Sequence, residues 1–181
     1  MLSMEVIICI QAVLCLRFWW LWRAEREISM KDPLTGAWNR RALEMFWAKA
    51  RAVCEREQSN RLALVVMDLN GFKQLNDTYG HQTGDAVLKV FSKAVANTLR
   101  GSDLLVRLGG DEFVAMIWTD RSEVESAVDR IKAVALSAVC EVVDLSDFGV
   151  SAGYAMGNYS LQDTLDKADQ MMYSKKVARK L

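Results

Sequence analysis

The chain has 181 residues, and its hydrophobic fraction of 51% is enough for one domain with a real core and at most a short appendage. Its 23 lysines and arginines balance 23 acidic residues, which excludes the overall basic field of a general nucleic-acid binder. The 4 cysteines form no Cys-x-x-Cys pair and the single histidine provides no ligand cluster, which argues against zinc and disulfide scaffolds and favours a reduced, cytoplasmic setting.

The first segment is the apolar stretch VIICIQAVLCLRFWWLW over residues 6–22. It is about the shortest run that spans a bilayer, and tryptophans gather near its end. Arg23 and Arg26 follow, which predicts that this end faces the cytoplasm. Three interpretations stay open: a membrane anchor, an in-plane or partner-packed amphipathic helix, and the cut-off end of a longer upstream region. We assign residues 1–30 to this N-terminal apolar helix and residues 31–181 to a folded domain.

Apolar periodicity and turn signals predict elements in the order α-β-α-β-β-α-β-α for the domain. The predicted elements are a helix over 40–58 capped by Asn39, a strand over 62–69, a short helical piece over 72–76, a loop over 80–84, a helix from 85 to about 99, two hairpin strands over 104–107 and 113–118, a helix from a Ser122 cap to about 139, a strand over 148–156 and a last helix capped by Ser160. This order predicts an α+β fold, an antiparallel central sheet backed by helices, of ferredoxin-like or polymerase-palm type.

The hairpin contains the most informative stretch, Arg107-Leu108-Gly109-Gly110-Asp111-Glu112-Phe113. Two glycines between apolar runs predict a tight turn, which would hold Asp111 and Glu112 at the tip of a rigid ribbon. Glycines let a bulky anion approach the backbone, and paired acids are suited to holding a divalent cation for phosphate chemistry. For this motif alone, an ordinary solvated hairpin remains an alternative.

The strand over 62–69 provides a second acid, because it is apolar until Asp68 near its end. Asp68 is either a cap for the following turn or part of a site. In a palm-type sheet the end of this strand lies beside the central hairpin, so Asp68 and Asp111 could converge on one Mg²⁺. That arrangement is used for attack on an α-phosphate.

Five motifs in a fixed order resemble those of the GGDEF-domain diguanylate cyclases, a family that joins two GTP molecules into cyclic di-GMP and releases pyrophosphate. The motifs are Asp32 to Gly36 with Asn39-Arg40-Arg41, Asp68 to Asp77, Gly80-His81 with Gly84-Asp85, Arg107 to Phe113, and Ala168-Asp169 with Tyr173 and Lys176. They cover about residues 31–180. The nucleotide-cyclase fold that the resemblance implies agrees with the α+β prediction.

The resemblance implies a metal and catalytic centre at the acids. Asp68, Asp111 and the carbonyl of Leu69 would hold Mg²⁺, with Mn²⁺ as the other candidate. Asp111 would also be the base for the 3′-hydroxyl nucleophile, and Glu112 would help to hold metal or charge. Lys73 would reach the phosphates and stabilise the charge that develops there.

The resemblance also implies a set of substrate-binding residues. They are Phe72, Asn76, His81, Asp85, Lys176 and Lys180. Asp85 only accepts hydrogen bonds, which suits the donors of guanine, and Asn76 offers both an acceptor and donors, so the pair favours GTP over ATP. Each of these two residues is alternatively a helix cap, and the C-terminal lysines are alternatively a solvated basic face. Lys180 stands where the family has an arginine, so the phosphate contact would be weaker unless Arg179 substitutes for it.

Arg100-Gly101-Ser102-Asp103 resembles the family's product-inhibition site. Arginine addresses guanine O6 and N7 in a bidentate way and aspartate accepts from its donors, so cyclic di-GMP bound there would hold active sites apart. A local surface ion pair is the alternative. One domain binds one GTP in this family, so a homodimer is expected, with the N-terminal helix setting its geometry.

Three functions are compatible with these residues. The leading one is an active cyclase whose domain is cytoplasmic and attached to the inner membrane through residues 6–22. The second is a degenerate family member that senses cyclic di-GMP through Arg100 and Asp103, or GTP through the former active site. A module that only dimerises partners is the third, and it explains none of the acids.

Overall fold

The computed structural model of the chain describes residues 11–19, 30–143 and 148–178. Contacts divide the chain into two units, residues 1–30 and residues 31–181. In the first unit residues 11–19 are helical, and their large exposed apolar side chains are those of Val13, Leu14, Leu16, Phe18 and Trp19. No helix among the described residues has the length and apolarity to cross a membrane. The rest of the apolar stretch lies outside those residues, so the anchor stays a prediction.

The described part of the second unit contains a five-stranded sheet covered by helices. The strands are β1 (Trp38–Asn39), β2 (Leu62–Asn70), β3 (Leu104–Gly109), β4 (Glu112–Trp118) and β5 (Gly149–Met156). The helices are α1 (Arg40–Arg56), α2 (Phe72–Tyr79), α3 (His81–Thr98), α4 (Val124–Cys140) and α5 (Leu161–Ala178). The predicted order of the main elements is confirmed, and β1 is a short addition to it.

The sheet has the spatial order β1-β3-β4-β2-β5. Strand β2 is antiparallel to both of its neighbours, β3 and β4 form an antiparallel hairpin, and β1 runs parallel to β3. Without β1, this is the order of a ferredoxin-like sheet built from two β-α-β units. The predicted antiparallel sheet is therefore confirmed, and it sets the end of β2 beside the turn between β3 and β4.

Helices cover both faces of the sheet, which is why β2 is buried along almost its whole length. Successive strand residues point to opposite faces. On one face Met67 belongs to a cluster that includes Phe91 of α3 and Ile131 of α4. On the other face Leu64 belongs to a cluster that includes Trp47 of α1. The two clusters fix the frame from which polar side chains project at the strand ends.

Two of the three predicted helix caps are confirmed. Asn39 Oδ1 accepts from the backbone N–H of Ala42 at 3.1 Å, and Ser160 Oγ accepts from the N–H of Asp163 at 3.1 Å. The Ser122 cap is wrong, because α4 begins after Glu123 and has no side-chain cap. Its first turn is closed by the backbone instead, through N–H groups that donate to the Asp120 carbonyl.

The predicted loop over 80–84 is also wrong, because α3 begins at His81. Gly80 alone makes the break between α2 and α3, with φ at +81°. Thr83 then donates its hydroxyl to the Tyr79 carbonyl at 2.9 Å, and the Gly84 N–H donates to the Gly80 carbonyl at 3.3 Å. Asp85, predicted to open the helix, therefore lies in its second turn.

Candidate active site

The turn between β3 and β4 is the tight hairpin that the two glycines predict. Gly109 and Gly110 have φ values of +157° and +52°, which residues other than glycine rarely adopt. The strand pairing shifts between Arg107 and Gly109, as in a β-bulge, and resumes at Glu112. The backbone therefore presents Asp111 at the turn and Glu112 at the first position of β4.

Arg107 connects this turn by hydrogen bonds to the segment that precedes the sheet. Its Nε and Nη2 donate to the Gly110 carbonyl at 3.0 and 2.7 Å, and its Nη1 donates to Asp32 Oδ1 at 3.1 Å. Asp32 also accepts from the N–H and hydroxyl of Thr35, at 2.8 and 2.6 Å. The first and fourth motifs are thus one hydrogen-bonded unit. Sequence reasoning missed this contact, although the charged residues beside both turns were visible.

The end of β2 brings a second acid to the hairpin. Asp68 pairs with Glu112 across the β2–β4 ladder. Burial raises the pKa of Asp111, and the nearby Asp68 charge raises it further, against a backbone hydrogen bond and the charges of Lys176 and Arg107. Lys176 reaches from α5 and donates to Asp68 Oδ2 at 2.5 Å. The structure therefore assembles Asp68, Asp111 and Lys176 from three distant parts of the chain.

These residues fit a divalent cation. Asp68 and Asp111 offer carboxylate oxygens as ligands. Asp68 already pairs with one cation, the ammonium group of Lys176, so its position suits positive charge. The described residues contain no group of three or more His, Cys, Asp or Glu side chains arranged for a metal. A site of two carboxylates that completes its coordination with phosphate oxygens and water is the kind that Mg²⁺ prefers.

Four of the six predicted substrate-binding residues lie on α2 and at the start of α3, and Lys176 lies on α5. Phe72 and Asn76 are half-buried, one turn apart on α2, and both approach Gly84 of α3. His81 and Asp85 are exposed, Lys176 is half-buried, and Lys73 on α2, predicted as a catalytic residue, is exposed. Lys180 and Arg179 lie outside the described residues.

The predicted product site lies between α3 and β3. Asp103 accepts from the N–H of Arg100 at 2.9 Å and from the N–H of Trp118 at 3.0 Å, so backbone groups hold its carboxylate. Arg100 and Asp103 line a cavity of about 350 Å³. Arg130 of α4 lines the same cavity, and sequence reasoning missed it because no local signal links α4 to the Arg-x-x-Asp motif.

Known proteins resemble this chain in sequence and in fold. A model of the diguanylate cyclase GGDEF domain matches residues 29–180. The chain is 33% identical over 160 residues to the diguanylate cyclase DgcS of Shewanella oneidensis, covering 84% of this chain and 52% of DgcS. It also resembles the solved GGDEF domain of DgcB from Caulobacter crescentus in complex with c-di-GMP, with a TM-score of 0.73 and 28% identity over 83% of this chain and 91% of that one.

The diguanylate cyclase SiaD from Pseudomonas aeruginosa, solved with its activator SiaC, matches with a TM-score of 0.72 and 27% identity over 96% of this chain and 68% of that one. The chain spans about half or less of the length of the curated relatives it matches. The family match covers the sheet and its hairpin, which carry Asp68 and Asp111. It also covers α2, which carries Asn76, and α5, which carries Lys176. This chain belongs to the diguanylate cyclase GGDEF domain family.

Proposed function

We propose that this chain is a diguanylate cyclase that condenses two GTP molecules into cyclic di-GMP and releases two pyrophosphates. The observation that carries this proposal is the meeting of Asp68, Asp111 and Lys176 at the end of β2 and the glycine turn. Two acids and a lysine on a rigid frame are suited to binding and polarising a triphosphate. The named activity of DgcS and SiaD supports the same reaction.

The chemistry requires the 3′-oxygen of each GTP to bond to the α-phosphorus of the other, while in each GTP the bond from that phosphorus to the oxygen that bridges to the β-phosphate breaks and pyrophosphate leaves. Asp68, Asp111 and the Leu69 carbonyl would hold Mg²⁺, which when bound supplies electrophilic stabilisation of the phosphate oxygens. Asp111 takes the proton of the 3′-hydroxyl at its carboxylate. Lys73 and Lys176 donate to phosphate oxygens as charge develops on them, and Glu112 adds a further carboxylate beside Asp68.

The base of the nucleotide is selected by hydrogen bonding at α2 and α3. Asp85 accepts from guanine N1–H and the 2-amino group, which adenine lacks. Asn76 adds a second polar contact, and Phe72 and His81 line the approach to it. GTP is therefore the expected substrate, and ATP the disfavoured analogue.

Two such domains must face each other, because each contributes one GTP. We assign the pairing to residues 1–30, since the described helical residues in this segment expose several large apolar side chains. The apolar stretch over 6–22 also supports attachment to the inner membrane, with the domain in the cytoplasm. The cavity at Arg100, Asp103 and Arg130 is suited to the product, because it offers two guanidinium groups and a carboxylate to guanine edges.

The test is chromatography of the products after the chain is incubated at high protein concentration with GTP and Mg²⁺. Cyclic di-GMP is expected from the unmodified protein, and none from Asp111→Ala, which loses a metal ligand and the base. Asp129→Ala, an exposed acid on α4, is the matched control and should retain activity. Failure of a dimeric, folded protein to form product would refute the cyclase, and binding of cyclic di-GMP by such a protein would support the sensor function.

A further inference from the structure

The side-chain oxygen of Asn76 is buried and has no hydrogen-bond partner. Such an acceptor loses its contact with water and gains nothing in return, so it destabilises the folded chain. The residue as a whole is only half-buried, so part of it stays in contact with solvent while its Oδ1 does not. A buried acceptor without a partner, on a residue that is only half-buried, is an arrangement that packing alone does not explain.

The oxygen lies in the space that a side chain on Gly84 would occupy. A Cβ built on Gly84 would be 1.9 Å from Asn76 Oδ1, 3.0 Å from Asn76 Cγ and 3.3 Å from Phe72 Cζ. Gly84 is within α3, and its backbone does not require the left-handed region, so alanine would be the better residue for the helix itself. The absence of a side chain there is therefore explained by the contact with α2 rather than by the backbone of α3.

We propose that Gly84 is a positioning residue for nucleotide recognition: it provides the space that holds the Asn76 amide edge-on, with its Nδ2 donor turned outward to an acceptor on the guanine base. Asp85, the next residue, supplies the acceptor for the donors of the same base. Asn76 then donates a hydrogen bond to the base, and Asp85 accepts hydrogen bonds from it. This inference rests on the proposed function, since it takes GTP as the ligand.

The test is the Gly84→Ala variant of the full chain. The group that a new Cβ would meet most closely is the end of the flexible Asn76 side chain rather than any backbone, so the amide is expected to swing away while both helices stay in place. Calorimetry with 3′-deoxy-GTP, which lacks the nucleophile and does not react, measures binding without turnover. Affinity should fall roughly three- to tenfold, the contribution of one hydrogen bond.

Stability separates this role from a structural one. Thermal unfolding of Gly84→Ala should give a Tm at or above that of the wild type, because alanine favours the helix. Asn97→Ala, an exposed change on the same helix that also favours it, is the matched control and should leave affinity unchanged. A Tm well below the wild type would show that the methyl displaces α2 itself, and would overturn the proposal.

A double-mutant cycle tests whether Gly84 acts through Asn76. Asn76→Ala should weaken binding of 3′-deoxy-GTP to a similar degree, and adding Gly84→Ala to it should change affinity less than about twofold. Wild-type affinity in Gly84→Ala, or an undiminished effect in the Asn76→Ala background, would overturn the inference. The proposed function fails on a different result, which is that the wild type forms no cyclic di-GMP. That result does not depend on the outcome of the double-mutant cycle.

Discussion

Replacing Asp32 with asparagine removes the charge that joins the first turn of the domain to the hairpin. Arg107 and Asp32 are largely buried, with side chains 12% and 18% exposed, and their charged atoms are 3.1 Å apart. Asparagine keeps the shape of the side chain and an oxygen for the two Thr35 donors. Arg107 keeps its contacts with the Gly110 carbonyl but loses its counter-ion, so the substitution isolates the charge pair.

The expected loss at pH 7 is about 2 kcal/mol, since hydrogen bonds to charged groups are worth roughly 1.5–3 kcal/mol and this pair is shielded from solvent. For a domain of this size the Tm should fall by about 4–8 °C. Burial raises the pKa of Asp32, but hydrogen bonds from Thr35 and the contact with Arg107 outweigh it, so the folded pKa lies below the ordinary value of 3.8. Such a carboxyl stabilises the fold above its unfolded pKa and loses that contribution as the pH falls through its folded pKa.

The assay is unfolding followed by far-UV circular dichroism, from pH 7 down to about pH 2.5, for the wild type and Asp32→Asn. The difference between them should be complete at neutral pH and begin to close near the unfolded pKa of 3.8. Asp120→Asn is the matched control, because Asp120 and Arg61 are 52% and 58% exposed and such pairs contribute little. Equal losses in both variants, or a difference that persists undiminished in acid, would refute the reasoning.

Three further predictions follow from the packing and the site. Gly153→Ala should lower the free energy of unfolding in urea by about 1–3 kcal/mol, because the methyl would lie 2.2 Å from the Ala168 carbonyl oxygen. Gly36 is not a suitable control, since a side chain there would have open space but the φ of that residue is positive. Excess EDTA should stop formation of cyclic di-GMP and added Mg²⁺ should restore it; activity that survives chelation would contradict the two-carboxylate site. Arg130→Ala should raise the cyclic di-GMP concentration for half-inhibition about tenfold, and unchanged inhibition would exclude α4 from the product site.

Local patterns in the chain were sufficient for the order of elements and for singling out Asp68 and Asp111, which the structure brings together. The apolar stretch over 62–69 is continuous until its acid, and Gly109-Gly110 separates two apolar runs. Both signals act within a few residues, because strand burial and tight turns depend on neighbours along the chain. The antiparallel α+β fold followed from them and is confirmed.

Contacts between elements required the packed domain. Lys176 meets Asp68 from 108 positions along the chain, Arg107 joins two turns, and Arg130 shares a cavity with Arg100. These contacts depend on how helices pack on the sheet, which no local period encodes. Gly84 is a further example. As a glycine it was predicted to lie in a loop, but it lies in α3, at a position where a side chain would overlap Asn76 of α2.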